Sequence, residues 1–129
     1  MANDDHQYDA RYLEGIRLFN DCEFFEAHDV WEELWADYQG ESRKFYQGLI
    51  QTAVCLHHFC NENIRGARKL FVSSRNYLEP YRPLHLGCDL EKLFADMQTC
   101  CDEMLTAEGD FPDVEIDPEL IPEIHLVSE

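Results

Sequence analysis

Lysine is scarce. Lys44, Lys69 and Lys92 are the only three in 129 residues, against 27 acidic side chains. With a net charge of −17 and a pI near 4.5, such a surface repels nucleic acid and anionic membrane. Long hydrophobic runs are also missing. The most apolar stretch, GLIQTAVCLHHF, is broken by Gln51 and ends on two histidines, too short and too polar to cross ~30 Å of hydrocarbon. The beginning of the chain, MANDDHQYDAR, has no basic region followed by an apolar run, so no secretory leader is read there. The six cysteines form no Cys-x-x-Cys pair and read as free thiols, small buried hydrophobes in a reducing cytoplasm. No phosphate-binding loop, dinucleotide fingerprint, nucleophile elbow or zinc-finger spacing occurs.

What is present is a globular composition, with 45% hydrophobic and 12% aromatic residues. Few lysines among many Asp and Glu resemble the proteins of salt-accumulating halophiles, where a Debye length of about 3 Å at 1 M salt screens self-repulsion. Apolar periodicity predicts five helices, over about 8–20, 23–38, 42–60, 64–79 and 89–105. Gly40 and Pro80 serve as stops and Asp89 as an N-cap. No segment reads as a strand. Residues 110–129 hold three prolines and seven acidic residues, yet also Phe111, Val114, Ile116, Leu120, Ile121, Ile124, Leu126 and Val127. The expected architecture is all-α: one domain over 1–109, an antiparallel bundle of two helical hairpins plus a capping helix. An extended Pro-rich acidic tail follows, packed on the domain or on a second subunit.

A shift of 40 residues superimposes the two hairpins. Ile16 meets Leu56, Phe19 meets Phe59, Phe24 meets Ile64, Ala27 meets Ala67 and Trp31 meets Phe71. The spacing resembles tetratricopeptide hairpins, though that family's period is nearer 34 residues. Charge is uneven as well. Residues 43–82 carry +5 and the remainder −22. Arg65, Arg68, Lys69 and Arg75 share a broad face of the fourth helix, suited to acidic surface of this chain, a symmetry mate or an anionic ligand.

The stretch FFEAHDVWEELW sets His28 on the shoulder of an apolar stripe, with Glu32 one turn on and Trp35 beyond. The third helix sets Gln47, Gln51, Val54 and His58 along a second stripe. Polar groups in apolar surroundings need partners. The predicted site is the pair His28 and Glu32 facing Gln47, Gln51 and His58 across a groove, with Trp35 alongside and Arg43 reaching Glu32 or Glu33. Three readings are open. The set is a polar network that fixes helix register. Or His28 and Glu32, at i and i+4, hold a divalent metal. Or the groove is a small-ligand or catalytic pocket with His28 as acid or base. The run CLHHFC adds Cys55, His57, His58 and Cys60, but adjacent histidines point about 100° apart on a helix. His6, His85 and His125 fall in loops or termini and carry no signal.

These stretches resemble the family called domain of unknown function 309. The matching positions are Glu26, Ala27, His28, Glu32, Leu34 and Trp35, then Arg43, Gln47, Gly48, Leu49, Ile50, Gln51, Gly66 and Ala67. Asp29 stands where that family usually has Glu. The resemblance covers about residues 12–78. It implies a small all-helical fold and no established activity. The functional expectation is a binding or interaction domain with a polar pocket around His28 and Glu32. Its alternative is a small metal-dependent or acid–base enzyme using the same two residues. The expected ligand is a small molecule or a protein, with no nucleic acid and no membrane, and a homodimer, with the tail against the second subunit, is left open.

Overall fold

A computed structural model describes residues 8–128. Five helices follow one another: α1 (Ala10–Asn20), α2 (Phe24–Asp37), α3 (Arg43–Cys60), α4 (Ile64–Leu78) and α5 (Leu90–Thr106). Asp9 caps α1 by accepting from the Arg11 amide at 2.8 Å. Asp89 caps α5 by accepting from the Lys92 amide at 3.0 Å. Pro80 stops α4 but does not end its coil at once. A 3₁₀ turn over Glu79–Tyr81 continues it, because a proline near the start of such a turn has no amide to leave unpaired.

The 40-residue offset is an offset in conformation. The α1–α2 turn puts Cys22 at φ 63° and the α3–α4 turn puts Glu62 at φ 61°. In the first, Glu23 N donates to Leu18 O at 2.9 Å and Cys22 N to Phe19 O at 3.0 Å. In the second, Asn63 N donates to His58 O at 2.8 Å and Glu62 N to Phe59 O at 3.1 Å. Both are Schellman closures, which satisfy the last free carbonyls of a helix and reverse the chain.

Close approach at the centre comes from small residues. A Cβ on Gly15 would lie 2.0 Å from the Trp31 indole nitrogen, and that indole is fully buried, donating to Tyr12 O at 3.2 Å. Ala27 and Ala67, equivalent by the offset, are both 0% exposed. The cysteine equivalent to Gly15, Cys55, donates its thiol to Ala67 O at 3.3 Å. Of the six thiols, Cys55, Cys88, Cys100 and Cys101 are buried. Cys22 and Cys60 are exposed, unlike the uniform burial expected from sequence.

α3 packs on α2 along one side and on α4 along the other. Ten of its residues are buried, among them Phe45, Leu49, Thr52, Leu56 and Phe59. The basic residues of α4 do not form one free face. Arg68 turns to the end of α5, donating to Met104 O at 3.0 Å, Ala107 O at 2.6 Å and Gly109 O at 2.6 Å. Met104 and Ala107 fall in the last turn and the cap of α5, where carbonyls have no intrahelical donor, so a guanidinium there acts as a C-cap. Arg75 donates to Phe94 O at 3.0 Å and lies over the Phe94 ring.

The small strand pair differs from the sequence reading. Leu84–His85 (β1) and Cys88–Asp89 (β2) pair antiparallel across Leu86 (φ 48°) and Gly87 (φ 75°). Two-residue strands show no alternation, so only the tight turn hinted at them. In the C-terminal segment, Val114, Pro122 and Ile124 are buried, whereas Phe111 is 86% exposed. Asn20 holds this segment as a strand neighbour would, accepting from Ile124 N at 2.8 Å and donating to Ile124 O at 2.9 Å. Val127 N donates to Gly87 O at 2.8 Å.

Candidate functional site

The stripes of α2 and α3 that pair across their packing seam do not close fully. His28, Glu32 and Trp35 lie one turn apart along α2, and Gln47, Ile50, Gln51 and Val54 follow the same spacing along α3. With Leu70 of α4 these eight residues line a cleft of about 240 Å³. The wall is mostly apolar: Trp35, Ile50, Val54 and Leu70. The polar groups come from His28, Glu32 and the two glutamines.

At the α2 side of the cleft, His28 Nδ1 is 3.1 Å from Phe25 O. A carbonyl only accepts, so this ring nitrogen carries the hydrogen. His28 Nε2 then faces Glu32 Oε2 at 3.3 Å, and Asp29 Oδ1 approaches Nδ1 at 3.3 Å. The imidazole is largely covered, its side chain 17% exposed, while both carboxylates are 55% exposed. One ligand atom from each of His28, Asp29 and Glu32 lies within 4.8 Å of the others. Among the described residues this is the one group of three or more His, Cys, Asp or Glu side chains so placed.

In two of the lining residues a polar atom is sealed from solvent without a partner. They are the Trp35 indole nitrogen, a donor, and the Gln51 carboxamide oxygen, an acceptor. Leaving such a group unpaired costs about 1–3 kcal/mol. Native proteins keep few of them, and each asks for a reason.

Five of the seven residues singled out from sequence therefore share one cleft: His28, Glu32, Trp35, Gln47 and Gln51. Arg43 stands behind it. Its guanidinium lies over the Trp35 ring at 3.8 Å, and its Nε donates to Trp35 O at 3.2 Å and Tyr38 O at 3.1 Å. It reaches those carbonyls rather than Glu32 or Glu33, because the end of α2 leaves them without helical donors.

His58 is absent from the cleft lining. Asn63 Oδ1 takes the Gly66 amide at 3.1 Å, which leaves Asn63 Nδ2 to donate to His58 Nδ1 at 3.1 Å. Burial, and then the neighbouring His57, hold the His58 pKa below its usual value. A neutral ring is what an Nδ1 acceptor requires. His6 lies outside the described residues. His85, passed over as a loop residue, meets Ser42 Oγ at 2.7 Å through Nε2 and packs on Phe45 and Tyr81.

Asp29 and Leu70 were missed. Asp29 neighbours His28 in sequence, but its bearing on the ring depends on rotamer. Leu70 enters from α4, and only the packing of α4 on α3 reveals it.

All eight cleft residues fall within residues 12–70, which match the family model described as domain of unknown function (DUF309). The chain is 33% identical over 106 residues to the uncharacterized protein YpuF of Bacillus subtilis (strain 168), covering 79% of this chain and 61% of that protein. It is 30% identical over 74 residues to an uncharacterized protein of Aquifex aeolicus (strain VF5), covering 54% of this chain and 22% of that protein. The chain thus spans less than two-thirds of either relative, and neither is named for an activity. No helix among the described residues is long and apolar enough to cross a membrane.

Proposed function

We propose that this is a small-ligand binding domain whose site is the cleft between α2, α3 and α4. One observation carries the reading: a sealed donor and a sealed acceptor, Trp35 Nε1 and Gln51 Oε1, both lack partners in residues that line the same cleft. A purely structural network tends to close its hydrogen bonds. Here the apolar walls offer burial and the polar groups offer orientation, the usual division of labour in a ligand site. In this reading α1–α4 act as two antiparallel hairpins steadied by α5, with the acidic C-terminal segment laid over them. Six free thiols and a net charge of −17 suit a reducing, salt-rich cytoplasm.

The test is a fragment screen on ¹⁵N-labelled protein, followed through the Trp35 indole and Gln51 side-chain amide signals. Expected are compounds that move both signals in the wild type and neither in Leu70→Trp, which fills the cleft. A screen in which no compound moves either signal, with Leu70→Trp as stable as the wild type, overturns the reading.

A second reading makes the His28–Glu32 pair a metal-assisted or acid–base centre. The 3.3 Å contact and the three donor atoms within 4.8 Å favour it. Asp29 and Glu32 flank opposite ring nitrogens, however, and Nδ1 is engaged by Phe25 O. One ion would need a side chain to rotate before it could bind all three. Zn²⁺ or Mn²⁺ titration, read as a thermal shift lost in His28→Ala, tests it.

A further inference from the structure

We infer that the mouth of the cleft takes an organic cation, an ammonium group carried on a short apolar body. The inference rests on the cleft reading above and names the ligand class. With Nδ1–H given to Phe25 O, the other ring nitrogen of His28, Nε2, stands 3.3 Å from Glu32 Oε2. Two carboxylates, Glu32 and Asp29, thus flank one imidazole, with one ligand atom from each of the three residues within 4.8 Å of the others. An ammonium supplies a positive charge and three N–H donors from one atom, which suits a mouth edged by carboxylates.

The surroundings select a cation with a carbon skeleton. No lysine or arginine lines the cleft. Arg43 is held against Trp35 and two carbonyls. The cleft is therefore edged by carboxylate acceptors, with no lysine or arginine to repel the ligand. Behind the acceptors, Trp35, Ile50, Val54 and Leu70 form a surface that a bare metal ion does not need but an alkyl chain buries. At about 240 Å³ the space holds roughly eight water-sized groups, the bulk of a short alkylamine. The net charge of −17 adds a long-range attraction for cations.

The same chemistry arrives either as a free amine or as a lysine side chain of a peptide. Titration of ¹⁵N-labelled protein in fixed 0.5 M NaCl uses four probes: n-hexylammonium, 1-hexanol, hexanoate and Nα-acetyl-lysine methylamide. The expected result is saturable movement of the His28, Glu32 and Gln51 signals with n-hexylammonium, at an affinity at least tenfold above that for 1-hexanol. Hexanoate gives none. Glu32→Gln lowers the ammonium affinity tenfold or more. Glu33→Gln removes the same charge one residue away, outside the cleft, and leaves affinity unchanged. Tighter binding of the lysine probe than of n-hexylammonium assigns the cation to a protein segment; the reverse assigns it to a free amine.

Equal affinity for 1-hexanol and n-hexylammonium overturns the cation while the cleft stands. Movement with hexanoate alone does the same. Equal loss in Glu32→Gln and Glu33→Gln reduces the effect to the general field and also overturns it. Silence with every probe, together with a failed fragment screen, removes the cleft as well. A response to Zn²⁺ at micromolar levels with none to amines gives the site to a metal instead.

Discussion

Two polar places in this molecule, both tied to α3, are built on opposite principles. At the start of α3, Ser42 is buried and its hydroxyl meets His85 Nε2 at 2.7 Å. Its amide donates to the Tyr38 hydroxyl at 3.3 Å, and Tyr81 donates to Glu41 O at 2.6 Å. The His85 ring packs on Phe45 at 4.8 Å and Tyr81 at 4.6 Å between centroids. Partners surround this corner, and its effect is to pin the β1–β2 turn to the α2–α3 connection. One to three turns further along the helix, the cleft keeps Trp35 Nε1 and Gln51 Oε1 sealed and unpaired. The contrast separates two uses of buried polarity. Closed networks specify one packing. Open ones carry a cost of about 1–3 kcal/mol per orphaned group, which stability alone does not explain.

The largest test strikes the closed corner. His85→Ala removes a hydrogen bond to a buried hydroxyl together with two ring contacts. It is expected to cost about 2–4 kcal/mol, read as a lower denaturation midpoint at constant m-value in urea. Ser42→Ala leaves the imidazole in place without that partner and is expected to cost about 1–2 kcal/mol. If both variants match the wild type within about 0.5 kcal/mol, the corner is no lock and the contrast fails from that side.

Next is Asn20→Ala, at another closed site. Asn20 makes a paired exchange with the Ile124 backbone. Losing it leaves two main-chain groups to find other partners, at about 1–2 kcal/mol. Hydrogen exchange at the Ile124 amide is expected to accelerate well beyond exchange in α3. Uniform acceleration across the chain would mean instead that Asn20 supports the whole fold.

Gln51→Leu reverses the sign. Replacing a side chain whose carboxamide oxygen is buried and unpaired with an apolar one of similar size is expected to leave stability unchanged or raise it by up to about 1 kcal/mol, while any ligand response of the cleft weakens. A loss comparable to that of Ser42→Ala would show that Gln51 is already partnered in solution. The open–closed distinction would then dissolve.

How much of this was legible in the sequence follows from the range of the forces involved. Helix positions come from local periodicity, and all five segments fall within about two residues of their expected ends. The polar stripe His28, Glu32 and Trp35 and its partner Gln47 and Gln51 were readable because two adjacent helices face each other along one seam. His58 lies on the same stripe of α3, but that stripe runs past the end of the cleft to the α3–α4 turn, where Asn63 claims it. Arg43 was misdirected because charge suggested a carboxylate, whereas the nearest unsatisfied acceptors were the carbonyls ending α2. His85, Leu70 and Arg68 depend on contacts between segments 36 to 43 residues apart or on interhelical packing. No pattern within one helix encodes those. The paired turns at Cys22 and Glu62 are the opposite case. The offset was visible in the apolar residues, and the backbone repeats it although neither turn residue is glycine.

The smallest effect is a pH dependence at His58, a closed site bordering the open one. Burial and His57 hold its folded pKa below the usual 6.5, and Asn63 donates to its Nδ1. The unfolded chain therefore takes up a proton that the folded chain resists. Linkage makes stability rise with pH in that range: the contribution is present above about 6.5 and is lost as pH falls through the lowered folded value. His58→Gln keeps an acceptor for Asn63 and removes the titration. Its stability should fall less than that of the wild type between pH 7.5 and pH 5, as measured by chemical denaturation in constant salt. Because His58 is outside the cleft, the variant should retain whatever ligand response the wild type shows. A loss of that response with an unchanged pH slope would place His58 in the site and extend the cleft to the α3–α4 turn.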